Sequence, residues 1–141
     1  MRSKMFGLLL VVLFSFGSLN AQVIGKIFDA DYANKEFGEV IKSVEINNSA
    51  LEDMLKSAGE YIMLNIETGT LRALDNKRNS ISGFAKSESE VFYRMSTSQV
   101  DVLIQKGTKS STQIEMRPKT LTLTNGSFTL EMVDPCPPFC Y

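Results

Sequence analysis

Apolar and polar residues alternate near the end of this chain with the period of two that is typical of β-strands. The segment TLTLTNGSFTLEM, residues 120–132, alternates leucine with threonine before Asn125-Gly126 and resumes the alternation after it. Asn-Gly is the preferred pair for a two-residue type I′ turn, so we predict an antiparallel hairpin in which Leu123 faces Phe128. One face of this hairpin is then apolar, and the other carries hydroxyl groups.

A second period, of three to four residues, predicts two short helices. Each begins with a serine followed three residues later by an acid, which is the spacing of a capping box, and each ends at a glycine. The pairs are Ser49 with Glu52 and Ser98 with Asp101, and the glycines are Gly59 and Gly107. The apolar stripes consist of Leu51, Met54, Leu55 and Ala58 in the first helix and of Val100, Leu103 and Ile104 in the second. Because both helices are short, each requires an apolar surface to lie on.

Predicted strands flank the two helices in the same order. They cover residues 38–46, 61–66 and 70–74 around the first helix, and residues 90–95, 112–116 and the hairpin around the second. We interpret the two halves as a possible tandem βαββ repeat. The predicted fold class is α+β, a two-layer sandwich with two short helices on one face of an antiparallel sheet. Ahead of the repeat, residues 23–28 predict a further strand, and residues 29–37 predict a turn or a short helix.

The first 21 residues have the form of a secretory signal peptide. Arg2 and Lys4 precede an apolar run over residues 6–16, and small residues precede a cleavage point after Ala21. The alternative is an uncleaved membrane anchor, but the run is too short to span a bilayer and polar residues follow it at once. We therefore predict that a single domain, residues 22–141, is exported to the periplasm or the extracellular space, with no membrane span in the mature chain.

The composition excludes several kinds of chemistry. The chain has no histidine, so it lacks a Ser-His-Asp triad, a Cys-His pair and histidine-ligated zinc. Its glycines are scattered and form no phosphate-binding motif. The formal net charge is -1, and the chain has no basic stripe that would favour nucleic acid. We predict no cofactor and no nucleic-acid partner.

Three pairs of carboxylates remain as candidates for acid–base catalysis. They are Asp29 with Asp31, Glu52 with Asp53, and Glu88 with Glu90. Each pair also has a structural explanation. An aspartate in a turn bonds its own backbone, acids in the first turn of a helix are stabilised there, and the third pair lies in a polar, solvated segment. An enzyme is therefore the last of three hypotheses.

The final segment DPCPPFCY, residues 134–141, contains both cysteines of the chain, Cys136 and Cys140. Export favours a local disulfide between them, although closing so small a loop gains little entropy. Three alternatives stay open: unpaired structural cysteines, a Cu(I) site completed by Met132, and a redox motif one residue longer than C-x-x-C. Asp134-Pro135 is expected to end the last strand, so that the tail folds back over a sheet edge or over the helices.

The first hypothesis for function is an exported, non-catalytic protein that binds a protein or another component of the cell envelope. It assigns the interaction to the hydroxyl-rich face of the sheet, which is predicted to be exposed. The residues of that surface are Thr120, Thr122, Thr124, Thr129 and Glu131. The alternative hypothesis is a protein that handles thiols or Cu(I) through Cys136 and Cys140.

Overall fold

Short helices and strands alternate through the part of the chain that the computed structural model describes, which is residues 22–82, 90–131, 133–136 and 138. Within these ranges, three helices are present: α1 (Ala30–Phe37), α2 (Asn48–Ala58) and α3 (Thr97–Lys106). The strands are β1 (Lys26–Asp29), β2 (Lys42–Asn47), β3 (Tyr61–Glu67), β4 (Thr70–Leu74), β5 (Phe92–Ser96), β6 (Ser111–Met116), β7 (Leu121–Asn125), β8 (Phe128–Glu131) and β9 (Asp134–Cys136). The predicted α+β class is confirmed.

The strands form two antiparallel sheets. Sheet 1 has the order β1-β8-β7-β6-β2, and sheet 2 has the order β4-β3-β5-β9. The prediction of a single sheet is therefore wrong, because the alternation of apolar residues identifies strands without identifying their neighbours. The predicted signal peptide, residues 1–21, lies outside the described ranges and stays a prediction. No helix in the described ranges has both the length and the apolar composition needed to cross a membrane.

The main hydrophobic core lies between helices α2 and α3 and the inner faces of both sheets. Leu51 from α2 and Leu103 from α3 are completely buried, as are Leu64 from sheet 2 and Leu123 from sheet 1. The predicted apolar stripes therefore face the core, where a leucine side chain contributes about 1.5–3 kcal/mol.

The start of each helix differs from the predicted capping box. Asn47 caps α2 by accepting a hydrogen bond from the backbone N–H of Ser49 at 2.9 Å, and Ser96 is the N-cap residue of α3. Each helix thus begins before the predicted serine, and that serine lies inside the first turn. Asparagine and serine are equally good N-cap residues. The spacing of a capping box alone therefore does not identify the residue at which the helix begins.

The register of the β7–β8 hairpin also differs from the prediction. Leu123 pairs with Leu130 and Asn125 with Phe128, which leaves Gly126 and Ser127 as the turn. Asn125 is completely buried, and its side-chain amide donates to the carbonyl oxygens of Lys109 and Ser111 at 3.1 and 3.2 Å. These bonds hold Asn125 in the strand. A slip of two residues preserves the faces, so leucines still point to the core.

The two βαββ segments exchange their first strands. β2 leads into α2 but pairs with β6, which follows α3, whereas β5 leads into α3 but pairs with β3, which follows α2. The order of elements is the same in both segments, β2-α2-β3-β4 and β5-α3-β6-β7. The origin of the two segments as a sequence repeat stays a prediction.

The C-terminal segment contributes a strand to the fold. Asp134–Cys136 forms β9, which pairs antiparallel with β5 at the edge of sheet 2. Pro135 lies within this strand, and an edge strand is the position in a sheet that tolerates proline. The tail therefore leaves sheet 1 after β8 and completes the opposite sheet.

Candidate functional site

The hydroxyl-rich face predicted to be exposed is buried, so the prediction of a solvated surface was wrong. Thr122 and Thr129 have no exposed area, while Thr120 and Glu131 are 9% and 7% exposed, and Thr124 is partly buried. Helix α1, for which the sequence predicts a turn or a short helix, lies against β1 and β8 on this side of sheet 1. A docking partner would first have to displace α1.

Arg117 joins α1 to this face of sheet 1 through a buried polar network. Its side chain is 1% exposed. Nη1 donates to Oδ1 of Asn34 in α1 at 3.0 Å, while Nε donates to Oγ1 of Thr122 at 2.9 Å. Nη2 donates to Oε2 of Glu115 at 2.9 Å, and the same oxygen accepts the hydroxyl groups of Thr122 and Thr124 at 3.0 Å each. Thr122 and Thr124 thus provide further hydrogen bonds to the buried ion pair between Arg117 and Glu115.

The remaining predicted surface residues also bond within the protein. The hydroxyl group of Thr120 donates to Oε1 of Glu131 at 2.9 Å, and the hydroxyl groups of Thr124 and Thr129 are 2.8 Å apart. All five residues therefore have structural contacts. The sequence pattern correctly placed them on one face but contained no signal that a helix would cover it.

Cys136 lies on the outer face of sheet 2, in a buried cluster with Met63, Leu74 and Phe92. Arg78 places its guanidinium 5.9 Å from the centre of the Phe92 ring and donates from Nη1 to the carbonyl oxygen of Cys136 at 3.2 Å. Among the described residues, no group of three histidine, cysteine or carboxylate side chains is arranged to hold a metal ion.

The other sulfur ligands of the predicted tail lie outside the described residues. These are Met132 and Cys140. The predicted disulfide between Cys136 and Cys140, and the Cu(I) site that adds Met132, therefore stay predictions.

The carboxylate pairs occupy separate places. Asp29 precedes α1 and Asp31 lies in its first turn; both are exposed and line a cavity of about 450 Å³ together with Tyr32 and Lys35. Glu90 is partly buried, and its Oε1 lies 3.0 Å from Nη1 of Arg72. Glu88 lies outside the described residues. Among the residues that the structure describes, none of these pairs places two carboxylates together in a buried site.

A cleft between α2 and α3 has a volume of about 520 Å³ and is the site with the clearest recognition chemistry. Its lining residues are Glu52, Leu55 and Lys56 from α2 and Thr97, Ser98 and Asp101 from α3. The N–H of Thr97 donates to the carbonyl oxygen of Glu60 at 3.0 Å, and its hydroxyl group donates to that of Gly59 at 2.8 Å. These bonds fix the start of α3 against the end of α2, so the two walls are held together.

The cleft carries an excess of negative charge. Glu52 stands on one wall and Asp101 on the other, while the only cation among the lining residues listed above is Lys56. Nζ of Lys56 lies 3.8 Å from Oδ1 of Asp53, which does not line the cleft, so part of this positive charge is directed elsewhere. Two carboxylates beside the partly buried Leu55 favour a ligand with both a cationic and an apolar part.

Glu52 and Asp101 occupy equivalent places in the two βαββ segments. Both are predicted from the sequence as acids in the first turn of a helix, but nothing in the sequence indicates that they share a cleft. Their spacing within each helix was visible, but the packing of α2 against α3 is a tertiary contact that no local pattern contains.

Comparison of the chain with protein-family models, curated proteins and solved structures found no match.

Proposed function

We propose that this is an exported, non-catalytic binding protein that engages a partner protein through the cleft between α2 and α3. The observation that carries the proposal is the placement of Glu52 from α2 and Asp101 from α3 in the lining of one cleft, together with Leu55. The partner presents a lysine or arginine side chain next to an apolar one. Export follows from the predicted signal peptide at residues 1–21.

The exposure of the cleft favours binding over catalysis. Glu52 and Asp101 are both solvent-exposed, and carboxylates that act as general acids or bases are usually desolvated or closely paired with another charge. An exposed ion pair contributes about 0.2–1 kcal/mol, so two such pairs give selectivity for a basic partner and only part of the affinity. The rest comes from apolar contact with Leu55 and from burial of the cleft.

The test uses residues 22–141 and a defined probe, the acetylated and amidated tetrapeptide Arg-Leu-Arg-Leu. In a titration followed by ¹H–¹⁵N NMR, we expect saturable shifts of the amides of Glu52, Leu55, Thr97 and Asp101. The corresponding peptide with glutamate in place of arginine should give no saturable shift. Shifts spread evenly over the acidic surface, or equal shifts with both peptides, would contradict the proposal.

A pair of matched variants separates the cleft from the overall charge. Glu52→Gln combined with Asp101→Asn should weaken binding of the arginine peptide by about 2–30-fold, which corresponds to the loss of two exposed ion pairs. Glu39→Gln combined with Glu60→Gln removes the same charge from exposed positions that do not line the cleft. This control should bind the peptide nearly as well as the unmodified protein, apart from a small change due to net charge.

A further inference from the structure

The exchange of first strands makes β2 and β5 equivalent, yet their outer edges differ. In sheet 2, β5 pairs with β3 on one side and with β9 on the other. In sheet 1, β2 pairs with β6, the equivalent of β3, and within the described residues no strand pairs with its other side. Sheet 1 is therefore open at the place where sheet 2 receives an additional strand.

The backbone of β2 is positioned to receive such a strand. The N–H of Asn48 donates to the carbonyl oxygen of Ser110 at 2.9 Å and continues the ladder between β2 and β6. Residues that bond to a given neighbour alternate along an antiparallel strand. The backbone groups of Ser43 and Glu45 therefore point away from β6, towards the open edge.

The same alternation operates in β5. The N–H of Thr97 donates to the carbonyl oxygen of Glu60 at 3.0 Å, which continues the ladder between β5 and β3. Phe92 and Arg94 consequently direct their backbone groups towards β9, where they pair with Cys136 and Asp134. Sheet 2 thus displays the hydrogen-bonding geometry that the open edge of β2 offers.

Alignment of the two segments identifies the charge that the added strand should carry. Asn47 and Ser96 are the N-cap residues of α2 and α3, so Glu45 is the counterpart of Arg94. Arg94 pairs with Asp134 of the added strand, with Nη2 and Oδ2 3.4 Å apart. The reversed charge at Glu45 calls for a basic residue in the corresponding position.

The exposure of β2 agrees with an unfilled edge. Ser43 and Glu45 are exposed, Val44 is half-buried, and the preceding Ile41 is 65% exposed although it is a large apolar residue. Exposed apolar side chains beside an unpaired edge favour strand addition by another chain.

We propose that the open edge of β2 binds a short extended segment of a partner protein as an added antiparallel strand, with a lysine or arginine opposite Glu45. A second copy of this chain fits less well. Its β9 would place Asp134 opposite Glu45, and self-pairing centred on Val44 would place Ser43 there. This surface is separate from the cleft between α2 and α3.

The test uses two hexapeptides of identical composition with residues 22–141. In acetyl-Thr-Val-Arg-Val-Thr-Glu-amide, antiparallel pairing places arginine opposite Glu45 and glutamate opposite Lys42. The control peptide exchanges arginine and glutamate, so that like charges face each other at both positions. In NMR titrations we expect saturable shifts of the Ser43 and Glu45 amides, with the first peptide binding about tenfold more tightly.

Two variants make the result specific to the edge. Glu45→Lys should reduce or reverse the preference between the peptides. Ser43→Pro removes an outward N–H and should abolish binding while the ladder to β6 persists, as its unchanged amide protection would show. The cleft variant with Glu52→Gln and Asp101→Asn should bind the hexapeptide normally, so this proposal and the proposed function can fail separately.

Three results would overturn the proposal: equal binding of the two hexapeptides, shifts that map away from β2, or a dimer in sedimentation analysis that Ser43→Pro dissociates. The last result would assign the edge to a second copy of the chain.

Discussion

Arginines make structural contacts on the outer faces of both sheets, in a buried polar network on sheet 1 and around an apolar cluster flanked by ion pairs on sheet 2. On sheet 1, Arg117 is buried in a network of oxygen acceptors and binds α1 to the sheet. On sheet 2, Arg72 and Arg78 lie 5.9 Å from the centre of the Phe92 ring. The first arrangement depends on each hydrogen bond, whereas the second combines the ion pairs of Arg72 and Arg94 with apolar burial and with the stacking of cations over a ring.

The carboxylates that pair with arginines on the two faces also differ in their exposure to solvent. Glu115, the partner of Arg117, has a side chain that is 12% exposed, whereas Asp134, the partner of Arg94, is 36% exposed. Water compensates an exposed carboxylate that loses its partner but reaches a buried one poorly. We therefore expect the two sheets to respond differently to the loss of an arginine.

The largest expected effect is that of Arg117→Met. It keeps much of the apolar volume but leaves Glu115 buried without its cation, and it removes the bond to Asn34 in α1. The free energy of unfolding should fall by about 3–5 kcal/mol. Urea denaturation measures this loss, and amide exchange should show that protection falls first in α1.

A double variant tests whether the buried charge causes that loss. Arg117→Met combined with Glu115→Gln should recover part of the stability, because glutamine leaves no uncompensated charge. If the double variant is as unstable as the sum of the two single variants, the network is not coupled as described.

An intermediate effect is expected at the edge of sheet 2, where Cys136 is completely buried on β9. If Cys136 and Cys140 form the predicted disulfide, reduction should lower the free energy of unfolding by about 2 kcal/mol, since the closed loop is short. The loss should be concentrated in β9 and β5. Mass spectrometry of the unreduced and reduced protein should differ by two hydrogen atoms, and the absence of that difference would reject the disulfide.

Features that depend on residues close together in the sequence were mostly predicted correctly, whereas features that depend on residues far apart in the sequence were not. The strand TLRAL, residues 70–74, was predicted with its observed bounds, because its alternation and the adjacent turn are local signals. The hairpin register was wrong at Asn125, whose side chain bonds to Lys109 and Ser111 and thereby holds the residue in the strand. Lys109 and Ser111 are distant from Asn125 in the sequence, so the preference of Asn-Gly for a two-residue turn takes no account of them.

The candidate site likewise combines local features that the sequence predicts with long-range contacts that it does not. Glu52 and Asp101 were found as residues of two helices, but the cleft that they share exists only after α2 packs against α3. Thr122 and Thr129 were correctly assigned to one face of the hairpin and incorrectly to solvent. The alternation of apolar residues with threonine is the same whether the threonines bond within the protein or to water. The sequence pattern therefore could not show that α1 covers this face.

The smallest expected effect is that of Arg94→Met, which tests the outer face of sheet 2 directly. Arg94 is 4% exposed and lies 5.0 Å from the centre of the Tyr61 ring, and methionine retains much of its apolar contact with that ring. Asp134 can be hydrated once its partner is lost, so the free energy of unfolding should fall by only about 1 kcal/mol. Urea denaturation of Arg94→Met beside Arg117→Met under identical conditions gives the comparison. A loss at Arg94 as large as that at Arg117 would mean that both faces depend on buried ion pairs, and the distinction between the two sheets would then be wrong.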